Sequence, residues 1–306
     1  MSVNLKYYIL LSIIAAVFFI ASCKSPRYQV KEFKPRIRQH LSEADKYFNE
    51  GLAMYMLKRL QESADAFERA VEGNPADGEA YFRLGLAYAG LQKIDEAISA
   101  FDKAFSLGGE YGASLEQMAI VYRIHGDREK EIEVLEEAIA IGEPHPTLLL
   151  HRLGIAYYAV DRQEDAIQAL NSGISESPSA SASYGTYYYL GSIYLKQNNY
   201  DEAIRFLERQ IQDNSEFSAI VSTYFNLGLA YHRNTEYQRA IPPFEQVVAR
   251  KPDYTEAYYN LATAYWLAGQ REKSLAILEK LEYMDKKFSA QLKIFYENYH
   301  DTRSTE

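Results

Sequence analysis

Leu84-Gly85-Leu86-Ala87-Tyr88 is the stretch from which the rest of this chain can be read. It returns as LGIAY at 153–157, LGSIY at 190–194, LGLAY at 227–231 and LATAY at 261–265, with weaker copies MAIVY at 118–122 and EGLAM at 50–54. The small residue in second place falls at Gly51, Gly85, Ala119, Gly154, Gly191, Gly228 and Ala262, at intervals of 34, 34, 35, 37, 37 and 34 residues. A fixed interval of this length is the mark of a stacked array of one structural unit. Sixteen residues after each small residue stands an apolar side chain: Phe67, Phe101, Leu135, Leu170, Leu207, Phe244 and Leu278. Four residues before that comes another small one, at Ser63, Ala97, Ala166, Ala203, Ala240 and Ser274, with Glu131 as the exception. Steps of three and four place side chains on one face of a helix. Two such runs parted by a polar break, such as GLQKID at 90–95, make a helical hairpin. The small residues let its helices approach, and the large ones fill the space between hairpins.

The pattern resembles the tetratricopeptide repeat (TPR), whose signature sets an aromatic, Leu-Gly, Tyr, Ala, Phe and Pro at fixed offsets over 34 residues. Tyr81, Leu84, Gly85, Tyr88, Ala97, Phe101 and Ala104 match it in one unit, and Tyr224, Leu227, Gly228, Tyr231, Ala240, Phe244 and Pro252 in another. The resemblance implies an all-α fold: a right-handed α-solenoid of about seven TPR hairpins plus a C-terminal capping helix. The repeats fall at about 44–77, 78–111, 112–145, 147–180, 184–217, 221–254 and 255–288 within a solenoid of 41–300. Glu50, Glu131 and Gln210 stand where the pattern wants apolar or small residues.

Residues 1–22 read as a lipoprotein signal peptide. Lys6 supplies the positive start, and the uncharged run from Tyr7 to Ile20 is fourteen residues, short for a membrane span, which needs about 20. It ends Ile20-Ala21-Ser22-Cys23, which resembles a bacterial lipobox, and Cys23 is the sole cysteine. One thiol makes no internal disulfide, so lipidation at Cys23 is the expected use. Residues 23–40 then form a basic tether with six basic residues and one acid. It either rests on anionic headgroups or serves as a solvated linker.

The whole chain has 33 basic and 42 acidic residues, a net charge of −9, and with the basic tether set aside the solenoid is more acidic still. That balance excludes nucleic acid as an expected partner. Ser42 is placed to cap the first helix. Long connections at 175–183 and 213–219 are expected to loosen the stacking beside them. Pro242-Pro243 predicts a kink or a late start of the second helix in the sixth repeat. Phe288, Leu292, Phe295 and Tyr296 share one side of a capping helix, followed by a disordered tail at 301–306.

No catalytic set, metal site or cofactor is expected: the six histidines are scattered, and HExxH, GxSxG and phosphate loops are missing from the sequence. In the family the first helix of each hairpin lines an inner groove. The resemblance therefore assigns partner binding to Phe48, Tyr55, Phe82, Arg123, His151, Tyr158, Tyr188, Lys196, Phe225, His232, Arg233, Tyr259 and Trp266. Such a ladder suits apolar or aromatic protein segments. Family members that clamp a C-terminal carboxylate use Asn at a position held here by Leu52, Leu86, Ile120, Ile155, Ser192, Leu229 and Thr263, so that clamp is not expected. These features imply a membrane-anchored envelope scaffold, on the outer rather than the inner membrane, for complex assembly, secretion or pilus and envelope biogenesis. The second reading is an adaptor presenting substrates to an envelope protease or peptidoglycan hydrolase.

Overall fold

The structure, a computed structural model, describes residues 42–108, 111–142, 146–178, 185–213 and 218–303. Cys23, the signal segment and the basic tether lie outside them. The described residues hold seven helical hairpins and one closing helix. The pairs are α1 (Glu43–Met56) with α2 (Leu60–Gly73), α3 (Gly78–Gly90) with α4 (Ile94–Ser106), and α5 (Tyr111–His125) with α6 (Arg128–Ala140). Next come α7 (Pro146–Ala159) with α8 (Gln163–Glu176), α9 (Thr186–Lys196) with α10 (Tyr200–Asp213), and α11 (Ile220–Arg233) with α12 (Tyr237–Arg250). The last pair is α13 (Thr255–Leu267) with α14 (Arg271–Met284), and α15 (Lys286–Arg303) follows. Ser42 caps α1 in a reciprocal box with Asp45, which satisfies two backbone donors at the helix start.

Every hairpin turns the same way. The residue seven places after the small one has a positive φ in all seven: Lys58, Gln92, Gly126, Asp161, Asn198, Thr235 and Gly269. Only two are glycine, so five turns carry a side chain in a region that costs roughly 1–2 kcal/mol. Packing within the hairpins holds them there. A Cβ built on Gly85 would stand 2.7 Å from the Phe101 ring, on Gly154 2.5 Å from Leu170, on Gly191 2.5 Å from Leu207 and on Gly228 2.6 Å from Phe244. The four glycines thus occupy equivalent helix crossings, each closed by the apolar residue sixteen places on. Ser63 and Ser274, standing where other units have Ala, donate to the carbonyls of Gly51 and Ala262 at 2.9 and 2.7 Å.

The units that break the pattern do so at a local cost that is met locally. Glu131 is buried and paired with Arg128 at 2.6 Å. Burial raises its pKa, opposed by Arg128, Arg123 and Arg152. Glu50 points to solvent.

First helices of successive hairpins approach each other at five of the six junctions, whereas the backbones of successive second helices stand farther apart, bridged by Arg239 with Glu208 at 3.2 Å. Helices that converge lie on the inside of a curve, so α1, α3, α5, α7, α9, α11 and α13 form the concave face. A tyrosine from each following hairpin ties down most junctions. Tyr88, Tyr157, Tyr231 and Tyr265 donate their hydroxyls to Glu68, Glu136, Glu208 and Glu245 on the preceding second helix. Burial, and then that carboxylate, pushes the Tyr157 phenol up to about 12.

The two long connections behave differently. α10 and α11 pack as closely as any successive pair, so the expected loosening is not found there. α8 and α9 pack far less than the others, so it is found at that junction. The prolines correct the expected late start: α12 is continuous from Tyr237 through Pro242 and Pro243, although each removes a backbone donor, so that the carbonyls of Gln238 and Arg239 lose their usual helical bond. At the far end α15 covers the last hairpin, with Leu292 and Tyr296 buried and Tyr296 stacked 4.0 Å from Trp266. The helix runs to Arg303, through the first three residues of the expected tail, and 304–306 lie outside the described residues. Among the described residues, no helix is long and apolar enough to cross a membrane.

Candidate functional site: the concave face of hairpins three to six

The expected groove residues divide by depth. Phe48, Phe82 and Phe225 are buried and meet the rings of Phe67, Phe101 and Phe244 in their own hairpins at 5.7, 5.6 and 5.9 Å. Trp266 is buried under the closing helix. These four build the core and offer a partner no surface, which corrects their placement in the groove. Phe48, Phe82 and Phe225 turn onto the apolar residue of their own second helix, and Trp266 is covered by Tyr296 of α15.

The residue two places before each small residue faces the groove. There stand Asn49, Arg83, Gln117, Arg152, Tyr189, Asn226 and Asn260, all half-buried and all polar or phenolic. The signal for this face in the sequence is a polar or phenolic side chain recurring at one position of an otherwise apolar helix.

The middle of the array brings the remaining candidates together. Tyr189 is the hub, with ring centroids 5.9 Å from His151, 5.7 Å from Tyr158 and 5.1 Å from Tyr188. The Lys196 ammonium lies 4.4 Å above the Tyr158 ring. A shallow pocket of about 220 Å³ opens beside it, lined by Tyr158, Ser192, Leu195, Lys196, Asn226 and Arg233. Three hairpins contribute to it. Asn226 donates to the Ser192 hydroxyl at 3.0 Å, and no carboxylate is among the lining residues. Toward the third hairpin, Arg152 pairs with Glu116 at 2.7 Å, and Arg123 is exposed with its charge acting on both Glu131 and Tyr189.

Electrostatics fix the chemistry of this face. Burial raises the pKa of the Tyr188 and Tyr189 phenols, so both are neutral hydrogen-bond donors at ordinary pH. His151 is buried, with Nδ1 3.1 Å from the Thr186 hydroxyl across the junction. Burial, and then Arg152, lowers its pKa to about 3, which keeps it uncharged. His232 is also shifted down, by burial first and then Arg233, and it meets Thr263 at 3.2 Å. Lys196 and Arg233 bring two cations to the pocket on an acidic molecule, and Lys196 also pairs with Asp161 at 3.9 Å. Tyr259 sits apart, against Phe288 of the closing helix at 5.7 Å, and Tyr55 is exposed at the far end of α1. No group of three His, Cys, Asp or Glu suited to a metal exists among the described residues.

Three family models described as Tetratricopeptide repeat match residues 48–110, 183–253 and 231–294. No curated protein matches the chain. Among solved structures, a tetratricopeptide repeat protein from Parabacteroides merdae is similar at 18% identity and a TM-score of 0.56, over 81% of this chain and 96% of that one. PilW, described as a widely conserved type IV pilus biogenesis factor, is similar at 14% identity and a TM-score of 0.54, over 73% of this chain and 99% of that one. MamA from Desulfovibrio magneticus RS-1 is similar at 18% identity and a TM-score of 0.51, over 58% of this chain and 98% of that one. At these identities the likeness is one of fold.

Proposed function

Because the chain is a tetratricopeptide repeat protein, we propose that it works as a scaffold whose concave face grips segments of other proteins at the pocket between hairpins four, five and six. The observation that carries this reading is the convergence of Tyr158, Lys196 and Arg233 on one pocket from three hairpins. A segment laid along the face meets aromatic and aliphatic surface at Tyr158 and Leu195, and cations at Lys196 and Arg233. A ligand with an apolar side chain beside an acidic one satisfies both. The scaffold is held at the envelope through a lipidated Cys23, with the basic tether between lipid and solenoid, and it gathers envelope proteins for assembly or secretion.

Two experiments test the two halves. Partners that co-purify with the full chain are identified, and binding of an identified partner is then measured for Arg233→Glu. Reversal of a charge at a hot spot costs at least about 2 kcal/mol, a loss of roughly thirtyfold in affinity, and unchanged affinity removes the pocket from the interface. Cys23→Ala is fractionated separately. Release from the membrane supports the anchor, and fatty acid still attached to the variant contradicts it.

A further inference from the structure

In a stacked array each unit touches only its neighbours, so bending collects at the weakest interface. The junction between hairpins four and five is the most loosely packed of the six. Where Glu68, Glu136, Glu208 and Glu245 receive a tyrosine from the next hairpin, the fourth hairpin has Asn171. The tyrosine due to meet it, Tyr194, stacks instead on Phe206 of its own hairpin, at 5.6 Å and 1° between planes. On the outer side of this junction a cavity of about 410 Å³ opens between α8 and the fifth hairpin, lined by Asn171, Ile174, Tyr187, Arg205, Phe206 and Arg209. The cleft is open to solvent, so the two hairpins make no packing contact across it there. On the inner side the same junction is closed, by His151 with Thr186 and by Tyr158 with Tyr189.

We propose that the solenoid has a built-in hinge between hairpins four and five, pivoting on the inner contacts of α7 with α9 and opening at the outer cavity beside Asn171. Hairpins one to four move against hairpins five to seven. Tyr158 belongs to one arm and Lys196 to the other, so the motion widens or narrows the groove at the point where they face each other. The hinge is a property of the free chain and stands whether or not the groove binds a partner.

Cys23 is the sole cysteine, so Cys23→Ala gives a full chain that takes spin labels only where cysteines are introduced. Ala140, Gln212 and Tyr283 are exposed and hold the same position in hairpins three, five and seven. Distances are measured by pulsed electron resonance for the pair at 140 and 212, which spans the hinge, and for the pair at 212 and 283, which spans two stapled junctions. The expected result is a broader distribution for the first pair, narrowed to match the second when Asn171→Glu restores the carboxylate opposite Tyr194. Equal widths in the parent chain overturn the proposal. A first pair that stays broad in Asn171→Glu while the circular dichroism melt is unchanged overturns the role given to Asn171. A raised melting temperature accompanying the narrowing supports it.

Discussion

Two junctions of this solenoid are almost the same in sequence and differ in packing. Hairpins four and five, and hairpins five and six, are each joined by a connection longer than the others, and in each case the small residues stand 37 apart. Yet α10 and α11 close fully, while α8 and α9 do not. A long connection by itself therefore does not loosen the stacking, as expected when longer loops cost only slowly growing entropy. What differs is the side chain opposite the tyrosine. Glu208 receives Tyr231, and Arg239 reaches that hydroxyl at 2.7 Å, whereas Asn171 stands opposite Tyr194. Between hairpins two and three Asp102 replaces the glutamate, and its charge still acts on Tyr122. That connection is short and the pair packs closely. Of the two long connections, the loosened one is the one that lacks the carboxylate.

The largest effect expected on the tight side comes from the helix crossing. Gly228→Leu drives a side chain into the Phe244 ring and costs about 1–3 kcal/mol, read as a lowered urea midpoint. Unchanged stability contradicts the equivalence of the crossings. On the loose side the inner pivot is sensitive to acid. His151 has a pKa of about 3 in the fold, against about 6.5 in an unfolded chain. Between these values the unfolded state binds the extra proton, so this contribution is intact above pH 6.5 and is lost as pH falls toward 3. Between pH 7 and pH 5 the loss is about 2 kcal/mol. In His151→Gln the fall in unfolding free energy over that interval should shrink by a similar amount. A fall as steep as in the parent chain places the acid sensitivity elsewhere.

A smaller change converts one junction into the other. Glu208→Asn removes the acceptor of Tyr231 and costs about 1 kcal/mol, and it should speed amide exchange in α11 toward the rate in α9. Exchange in α11 that does not respond breaks the comparison at its root. Smallest is the turn of hairpin six, where Thr235 holds φ at 61°. Thr235→Gly relieves a β-branched side chain in the left-handed region and should stabilise by about 0.5 kcal/mol, the strain relief less the added chain entropy. A loss of stability shows that this turn carries no strain.

The period near 34 made the hairpins, their crossings and the closing helix legible, because each repeated residue type answers one packing need. The depth of the groove residues was less legible. Phe225 and Asn226 are neighbours in sequence, and nothing in their own identities says that the aromatic turns to Phe244 and the amide to the groove. The staple was visible only in halves. Glu68, Glu136, Glu208 and Glu245 lie 20 to 23 residues from their tyrosine partners, beyond the reach of any spacing within one helix. Asn171 gained meaning only once those pairs were seen. Pro242 and Pro243 do not mark the start of α12, because the helix is already begun at Tyr237.

The account rests on docking along the inner curve. A photo-crosslinking residue placed at Tyr188 on that curve, and separately at Gln212 on the outer side, tests it in membranes from cells producing the full chain. The account predicts one protein joined through position 188, its yield reduced by Arg233→Glu, and none joined through position 212. The same protein captured equally from 212, or captured from 188 regardless of Arg233, contradicts it.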